Sequence, residues 1–475
     1  MKKVLMISFS LLILGACTKD ITRFNEQTKR AETVPPETLF TNAVKNLSDL
    51  LASANVNVNV FRFTVQHWAA TTYQDEPRYD FTTRAIPDGI WSRLYRGILA
   101  NLNRAKQLIE ADEQMDAATK TNKLAQIDMM QVYAYHLLTT TFGNVPYSEA
   151  LDFDNVFPSY DDAQTIYNDL ITRMQADVAA LNTSADGIST AQDLLYGGDI
   201  AAWKKFGNSM LMRMALVIAD VDAAQAKSVF TAADGGAFTS AADNAEFKYM
   251  ETTPNTNPIW VDLVNSGRQD MVAANTLLDD LKAMNDPRLE LYFRPNNNGD
   301  YVGGIVGENN TFSAVSKPSD KVTSPSFPNL ILGYSEVEFM RAEGIERGFG
   351  NAGTAADHYK NAIVASILYW GGTAEEADAY VARPDVAYAT AAGDWKHKIG
   401  YQKWIALYNQ PFQGWLEMRR LDQPVLPPPS EAKSGYPNRL TYPNSEQQLN
   451  PDNYTKNAQM IGGDNVETKL FFDKY

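Results

Sequence analysis

Cysteine is almost absent from this sequence. Cys17 is the only cysteine among 475 residues, and there are four histidines, His67, His136, His358 and His397. A single thiol cannot form an internal disulfide, and structural zinc sites generally combine several cysteines and histidines. We therefore expect no disulfide framework and no metal site. The fold must depend on burial of its apolar side chains, which make up 44% of the residues.

Basic residues are scarce relative to acidic ones. The chain has 42 Lys and Arg against 57 Asp and Glu, which gives a formal net charge of −15. Nucleic acids and anionic lipid surfaces select proteins with an excess of Lys and Arg. The charge balance therefore predicts no nucleic-acid partner.

Local motifs of catalysis are also missing. The chain contains no G-x-S-x-G, no H-E-x-x-H and no G-x-x-x-x-G-K-[ST]. His136 and His358 lie within helical stripes, where we expect structural roles. A glycoside hydrolase needs only two facing carboxylates, and nothing local marks such a pair among the 57 acidic residues. We expect no catalytic residues and no cofactor, and a glycoside hydrolase is the less favoured alternative.

The only long apolar run lies near the N-terminus, at residues 4–14. It is shorter than the roughly 20 apolar residues of a membrane-spanning helix. Because it follows Lys2 and Lys3, it is typical of the apolar core of a secretory signal peptide. We therefore expect a signal peptide at residues 1–16.

The residues that follow this run, Leu14-Gly15-Ala16-Cys17, resemble the bacterial lipobox. In that motif the cysteine sulfur takes a diacylglycerol and becomes the mature N-terminus, so we expect Cys17 to be lipidated. A multi-chain lipid anchors a protein firmly without a spanning helix. Residues 17–35 would then form the lipidated N-terminus and a polar leash. An ordinary signal peptide with an accidental cysteine is the alternative.

Helical periodicity dominates the rest of the chain. Apolar residues follow helical spacing in the segment 91–110 and in predicted helices at about 119–141, 159–181 and 201–219. A further pair, EVEFMRAEGIERG and AADHYKNAIVASILYW, is joined by a short glycine-containing turn. Its second helix spaces Ala355, Tyr359 and Ala362 as a tetratricopeptide unit does, and Ala163, Tyr167 and Leu170 repeat that spacing. The pattern predicts an all-α protein built on tetratricopeptide-like helix pairs.

Long irregular segments, rich in Pro, Asn, Gly and aromatic residues, separate these helices at 55–90, 251–268, 294–332 and 424–453. Loops of this length in a compact domain often carry function. Two of them combine aromatic rings with amide and guanidinium groups, a mixture typical of ligand sites. The candidate ligand-binding residues are Trp68, Tyr73, Arg78, Tyr79, Asn257, Trp260 and Arg268. A sugar, a peptide or a protein surface could use this mixture.

Several stretches, in order, resemble the SusD/RagB family of nutrient-binding outer-membrane lipoproteins. They are the lipobox at Cys17, IWSRLYRGILANLNRAKQLI, YAYHLLTTTFGNVPYSEAL, WKKFGNSMLMRMAL, NDPRLELYF, YSEVEFMRAEGIERG, IGYQKWIALYNQPFQGWLEMRR and RLTYPNSEQQLNPDNY. The resemblance implies one helical domain over 36–475, in which four tetratricopeptide-like helix pairs support a loop-rich region. It also implies that FGNVP closes a helix, and that Trp404, Trp415 and Arg419-Arg420 tie the last helices together.

The resemblance further implies a function without catalysis. Such proteins cap a TonB-dependent β-barrel transporter, the SusC-like partner, like a hinged lid at the outer membrane, and they deliver an oligosaccharide into it. The lid would be lipid-anchored and face the cell exterior. The family has no invariant ligand motif, so no binding residue is carried over. A peptide-capturing lid and a tetratricopeptide-type interaction scaffold remain open as alternatives.

Overall fold

Helices form most of the protein in the computed structural model, which describes residues 34–152 and 154–474. The predicted signal peptide and Cys17 lie outside the described residues. In chain order the helices are Pro36–Ala52 (α1), Phe61–Thr64 (α2), Ile86–Ser92 (α3), Ala100–Glu110 (α4), Ala117–Phe142 (α5), Ala163–Ala180 (α6), Ile200–Val217 (α7), Ala223–Asp234 (α8), Pro258–Trp260 (α9), Asn275–Ala283 (α10), Arg288–Tyr292 (α11), Tyr334–Glu346 (α12), Ala355–Trp370 (α13), Ala374–Val381 (α14), Trp395–Ala406 (α15), Pro411–Leu421 (α16), Asn444–Leu449 (α17) and Pro451–Met460 (α18). None of these helices is both long and apolar enough to cross a membrane.

Four pairs of consecutive helices form the scaffold of the described chain: α5 with α6, α7 with α8, α12 with α13, and α15 with α16. The predicted tetratricopeptide spacing lies inside this packing, because Ala163, Tyr167, Ala355, Tyr359 and Ala362 are all buried. The prediction of tetratricopeptide-like helix pairs supporting a loop-rich region is therefore confirmed.

Side-chain caps explain where the scaffold helices begin. The Asp116 carboxylate accepts hydrogen bonds from two backbone N–H groups at the start of α5, and Asp199 does the same for α7. Asp162 caps α6 through the N–H of Thr165, so this helix begins after the capping residue rather than at the predicted residue 159. A capping side chain satisfies N–H groups that the first turn leaves unpaired.

A glycine follows the end of α5, as the sequence predicted. Gly143 ends α5 with a φ of 88°, as the FGNVP motif indicates. The turn between α12 and α13 contains Gly348, Gly350 and Gly353, all with positive φ, in a G-x-G-x-x-G pattern. In dinucleotide-binding proteins this pattern follows a strand and opens a helix. Here it follows a helix, and it serves as a helix-pair turn.

The last helix pair is tied to the rest by buried polar contacts, as expected. Trp404 and Trp415 donate their indole N–H groups to the carbonyls of Val65 and Pro437. Arg419 donates to the carbonyl of Thr140, and Arg420 pairs with Glu343 and Glu417. Removing one member of a buried ion pair is costly, so these residues are structural.

The strands of the described chain are short and lie between the helices, within or close to the irregular segments. They are Trp68–Ala70 (β1), Ala245–Phe247 (β2), Met271–Ala273 (β3), Phe293–Arg294 (β4), Lys317–Pro318 (β5) and Asn329–Leu332 (β6). They pair as the antiparallel ribbons β1–β3, β2–β6 and β4–β5. In the first ribbon Trp68 lies opposite Ala273 and Ala70 opposite Met271. This pairing brings the segment 55–90, which contains β1, next to the residues that directly follow the segment 251–268.

Candidate functional site

An open cavity of about 690 Å³ lies where the end of β1 meets the start of β3. Two segments run together at its edge, because the Thr71 N–H donates to the carbonyl of Asp270 and the Thr71 hydroxyl donates to the carbonyl of Gln269. The residues around it come from the segments 70–84, 268–271 and 310–312, together with Val56 and Phe63. It is larger than three other cavities found among the described residues.

Tyr73 supplies the exposed aromatic ring of this cavity. Its side chain is 66% exposed, and its backbone has a φ of 60°. The left-handed conformation is unfavourable for a bulky residue, so the surrounding loop must hold it. The Arg84 guanidinium lies 5.9 Å from the ring centroid. The ring is therefore positioned with one side available to a ligand.

The remaining apolar lining is less exposed. Phe312 is half-buried, and the Lys317 ammonium lies 4.8 Å from its ring centroid. Met271, Phe63 and Val56 are buried. The cavity thus combines an apolar lining with polar groups, which is the usual composition of a small-molecule site.

Two ion pairs provide the charged part of the wall. Arg268 donates from Nε to Asp270 Oδ1 at 3.1 Å, and a second guanidinium nitrogen contacts Asp270 Oδ2. This hydrogen bond raises the pKa of Arg268. The carboxyl group of Asp262 lies close enough to interact with both partners, and burial raises its pKa.

The second pair joins Arg84 and Glu76. Arg84 Nε donates to Glu76 Oε1 at 2.6 Å, and another nitrogen of the same guanidinium contacts the same oxygen. The Glu76 side chain is 1% exposed, and burial raises its pKa despite the hydrogen bond from Arg84. Its other oxygen, Oε2, is buried without a hydrogen-bond partner among the described residues.

Among the predicted ligand residues, the structure brings Tyr73 and Arg268 into one cavity. Trp68 is in a different position from the exposed loop that we expected. It lies in β1 and is fully buried, and its indole N–H donates to the Tyr408 hydroxyl at 3.0 Å. The Arg62 guanidinium covers its ring at 4.6 Å. We therefore correct the placement of Trp68 from a loop surface to the core.

Tyr79 and Asn257 are also buried rather than exposed. The Tyr79 hydroxyl accepts a hydrogen bond from Gln66 Nε2 at 3.1 Å. The Asn257 side chain caps α9 by accepting from the Ile259 N–H, and it donates to the Phe327 carbonyl at 2.7 Å. Both side chains thus have internal partners and are not available to a ligand in this conformation.

Arg78 and Trp260 are more accessible but lie outside the lining of the cavity. Arg78 donates from Nε to the Gly307 carbonyl at 2.8 Å and pairs with Glu431 at 2.6 Å, so it joins three loops. Trp260 is half-buried at the end of α9. These positions do not decide whether either residue contacts a ligand, so the ligand-binding roles of Arg78 and Trp260 remain predictions.

Sequence reasoning missed Glu76, Arg84, Asp270 and Phe312. Glu76 lies inside the segment 55–90 and Asp270 lies two residues after the segment 251–268, but only aromatic, amide and Arg side chains were selected as ligand residues. The signal that could have identified them is a carboxylate close in sequence to each arginine. Phe312 lies in a third segment, and only the tertiary fold brings it to the cavity.

Among the described residues, no group of three or more His, Cys, Asp or Glu side chains is placed to hold a metal ion. No curated protein matches the chain significantly.

Solved structures do match it. A chitin-binding protein is 27% identical with a TM-score of 0.80, and the match covers 93% of this chain and 100% of that one. A SusD homologue from Bacteroides uniformis is 26% identical with a TM-score of 0.76, covering 92% and 99%. A chitin-binding SusD homologue from Flavobacterium johnsoniae has the same fold, with 22% identity and a TM-score of 0.77 over 92% and 97%.

A family model agrees with these structural matches over most of the sequence. The model of SusD-like proteins, described as "Starch-binding associating with outer membrane", matches residues 27–443. The order of the helix pairs and the length of the match agree with this model, and the chain therefore belongs to the SusD-like family.

Proposed function

We propose that this protein captures an oligosaccharide in the cavity between β1 and β3 and acts at the outer membrane without catalysis. The observation that carries the proposal is the exposed ring of Tyr73 beside two carboxylate–guanidinium pairs in an open cavity of about 690 Å³. Aromatic faces stack on the apolar faces of sugar rings, and charged planar groups hydrogen-bond to hydroxyls. The family description and the chitin-binding relative at 27% identity support the same ligand class.

The partner in this proposal is a TonB-dependent barrel transporter of the SusC type, which the protein would cap and supply with the captured sugar. The proposed lipid on Cys17 would hold it at the membrane, facing the cell exterior. Capture for delivery requires modest affinity, because the ligand must leave the site again. Stacking on one exposed ring with a few hydrogen bonds suits that requirement.

The arrangement of the acids argues for capture rather than hydrolysis. A glycoside hydrolase uses one carboxyl group as an acid and another as a nucleophile or base. Glu76 and Asp270 line the cavity, but each is held by a guanidinium. Neither carboxylate is therefore free to act on a bound sugar in the observed arrangement.

The test is calorimetric titration of the purified full-length protein in detergent with three panels: neutral oligosaccharides, acidic oligosaccharides and short peptides. We expect saturable binding of at least one oligosaccharide, no binding of the peptides and no cleavage of the bound sugar on prolonged incubation. Binding of peptides and of no oligosaccharide would contradict sugar capture and indicate a peptide-capturing protein. Release of shorter sugars would show a hydrolase.

A further inference from the structure

The two guanidinium groups in the cavity wall are already neutralised. Arg268 directs two nitrogens at the Asp270 carboxylate, and Arg84 directs two nitrogens at Glu76 Oε1. A site for an acidic ligand typically offers an arginine whose planar fork is free to bind the ligand carboxylate or sulfate. Here the protein itself supplies the carboxylate that each arginine binds.

The charges that surround these pairs are mostly negative. Asp262 interacts electrostatically with both Arg268 and Asp270, and Asp75 interacts with Glu76. The nearby cation Lys317 lies against the Phe312 ring, is nearly buried, and donates to Asn297 at 3.3 Å. An anionic ligand would therefore lose its hydration without gaining an uncompensated positive charge, which is unfavourable.

Several hydrogen-bond donors of the wall are also occupied. The Asn310 amide donates to the carbonyls of Ala70, Ile305 and Glu308, and the Thr71 hydroxyl donates to the Gln269 carbonyl. Glu76 Oε2 has no partner among the described residues, but it is buried and therefore out of reach of a ligand in this conformation.

From these observations we propose that the cavity selects uncharged saccharides, with the pairs Arg84–Glu76 and Arg268–Asp270 as the determinants that exclude acidic sugars. This inference rests on the proposed function and adds the chemical class of its ligand. A uronic acid or a sulfated sugar would bring a negative charge to a wall in which carboxylates of the protein already pair with both arginines.

The experiment compares neutral hexamers of N-acetylglucosamine, glucose and xylose with oligogalacturonate, alginate oligomers and hyaluronan oligomers by calorimetry at fixed ionic strength. For the wild-type protein we expect the best neutral ligand to bind at least roughly 10-fold more tightly than any acidic ligand. Glu76→Gln keeps the shape of the side chain but leaves Arg84 without its anion. The preference for neutral over acidic ligands should therefore shrink or reverse.

Asp270→Asn is the second variant, because the Asp270 side chain is more exposed than that of Glu76 and its loss is less disruptive to folding. Like Glu76→Gln, it should reduce the preference for neutral over acidic sugars. Asp320→Asn is the matched control, since it removes the carboxylate of an exposed pair with Arg294 outside the cavity. It should leave the preference unchanged.

The outcomes separate this inference from the proposed function. Equal or tighter binding of acidic oligosaccharides to the wild-type protein would overturn the selectivity and leave sugar capture intact. A preference that neither Glu76→Gln nor Asp270→Asn alters would overturn the role of the two pairs. Binding of no saccharide of either class would overturn the proposed function itself.

Discussion

At the residue scale, Tyr73 carries the exposed ring of the cavity. Because its side chain is 66% exposed, Tyr73→Ala should change the unfolding free energy by no more than about 0.5 kcal/mol. Loss of the stacking face should weaken oligosaccharide binding by roughly 10-fold, or about 1.4 kcal/mol. Tyr73→Phe keeps the ring and should retain most of the affinity. Calorimetric titration and thermal melting of the two variants check this prediction.

A suitable control for Tyr73→Ala is Phe157→Ala, which removes a ring that is also well exposed but lies outside the cavity lining. It should leave both affinity and stability close to those of the wild-type protein. If Phe157→Ala and Tyr73→Ala reduced affinity equally, the binding site would have to be placed elsewhere.

Trp68 should behave in the opposite way. Its ring is fully buried between the Arg62 guanidinium and the core, and its N–H bonds to the Tyr408 hydroxyl. Trp68→Ala should therefore lower the unfolding free energy by about 3–5 kcal/mol, the usual range for truncating a buried aromatic residue. Denaturant titration measures this. An unchanged midpoint with weakened sugar binding would instead support the original expectation that Trp68 contacts the ligand.

At the element scale, the close packing of α6 against α7 depends on Gly207, which lies in the stretch WKKFGNSMLMRMAL. A Cβ atom at this position would lie 2.5 Å from Cγ2 of Val178 and 2.9 Å from Cε of Met129. Gly207→Leu should therefore lower the unfolding free energy by about 3 kcal/mol through overpacking. Gly235→Leu is the control, because its Cβ would meet nothing within 4 Å. Equal stabilities of the two variants in urea would contradict this packing.

Two histidines that connect elements should give pH dependences of opposite sign. His67, which precedes β1, donates a hydrogen bond from Nε2 to the Trp404 carbonyl of α15 at 3.1 Å. Burial, and secondly the positive charge of Arg62, lower the pKa of His67 to about 3. The neutral ring therefore contributes stability above the unfolded pKa of about 6.5, and this contribution is lost as pH falls below it. The unfolding free-energy gap between wild type and His67→Gln should narrow from pH 7 to pH 5.

His358 in α13 provides the comparison. Its hydrogen bond with Glu338 of α12 raises the pKa of His358 above its usual value. Its contribution is complete below the unfolded pKa and is lost as pH rises through the folded pKa. The gap between wild type and His358→Gln should thus narrow as pH rises from 6 to 8. Urea titrations from pH 5 to pH 8 check both assignments, because two gaps that changed in the same direction would contradict one of them.

The helix pairs could be predicted from the sequence because their signals are local. Apolar spacing, capping aspartates and the glycine that ends α5 all act within a few residues. The positions of the loop aromatics could not be predicted in the same way. β1 has only three residues, too few to show an alternating pattern, and it is formed by pairing with β3 some 200 positions later. Burial of Trp68 and exposure of Tyr73 follow from that non-local pairing.

At the scale of the whole molecule, the helix pairs keep the loops in place and so position the cavity. Trp404 bonds to the carbonyl of Val65, just before β1, and Arg78 connects its own segment to Gly307 and Glu431. A binding site on segments this far apart in sequence can be rigid only if such contacts fix them. This arrangement suits a capture protein, in which a preformed cavity reduces the entropy lost on binding.

The attachment of the whole molecule to the membrane depends on Cys17 in our proposal. Replacement of the thiol by a hydroxyl in Cys17→Ser removes the sulfur that takes the diacylglycerol. We expect the variant to remain unprocessed or to leave the outer-membrane fraction, and not to incorporate radiolabelled palmitate. Thr18→Ala is the control, because it changes the neighbouring residue and keeps the thiol. Membrane fractionation with labelling distinguishes the outcomes: a Cys17→Ser protein that stays in the outer membrane at its mature size would defeat the lipid-anchor proposal, whatever sugar the cavity binds.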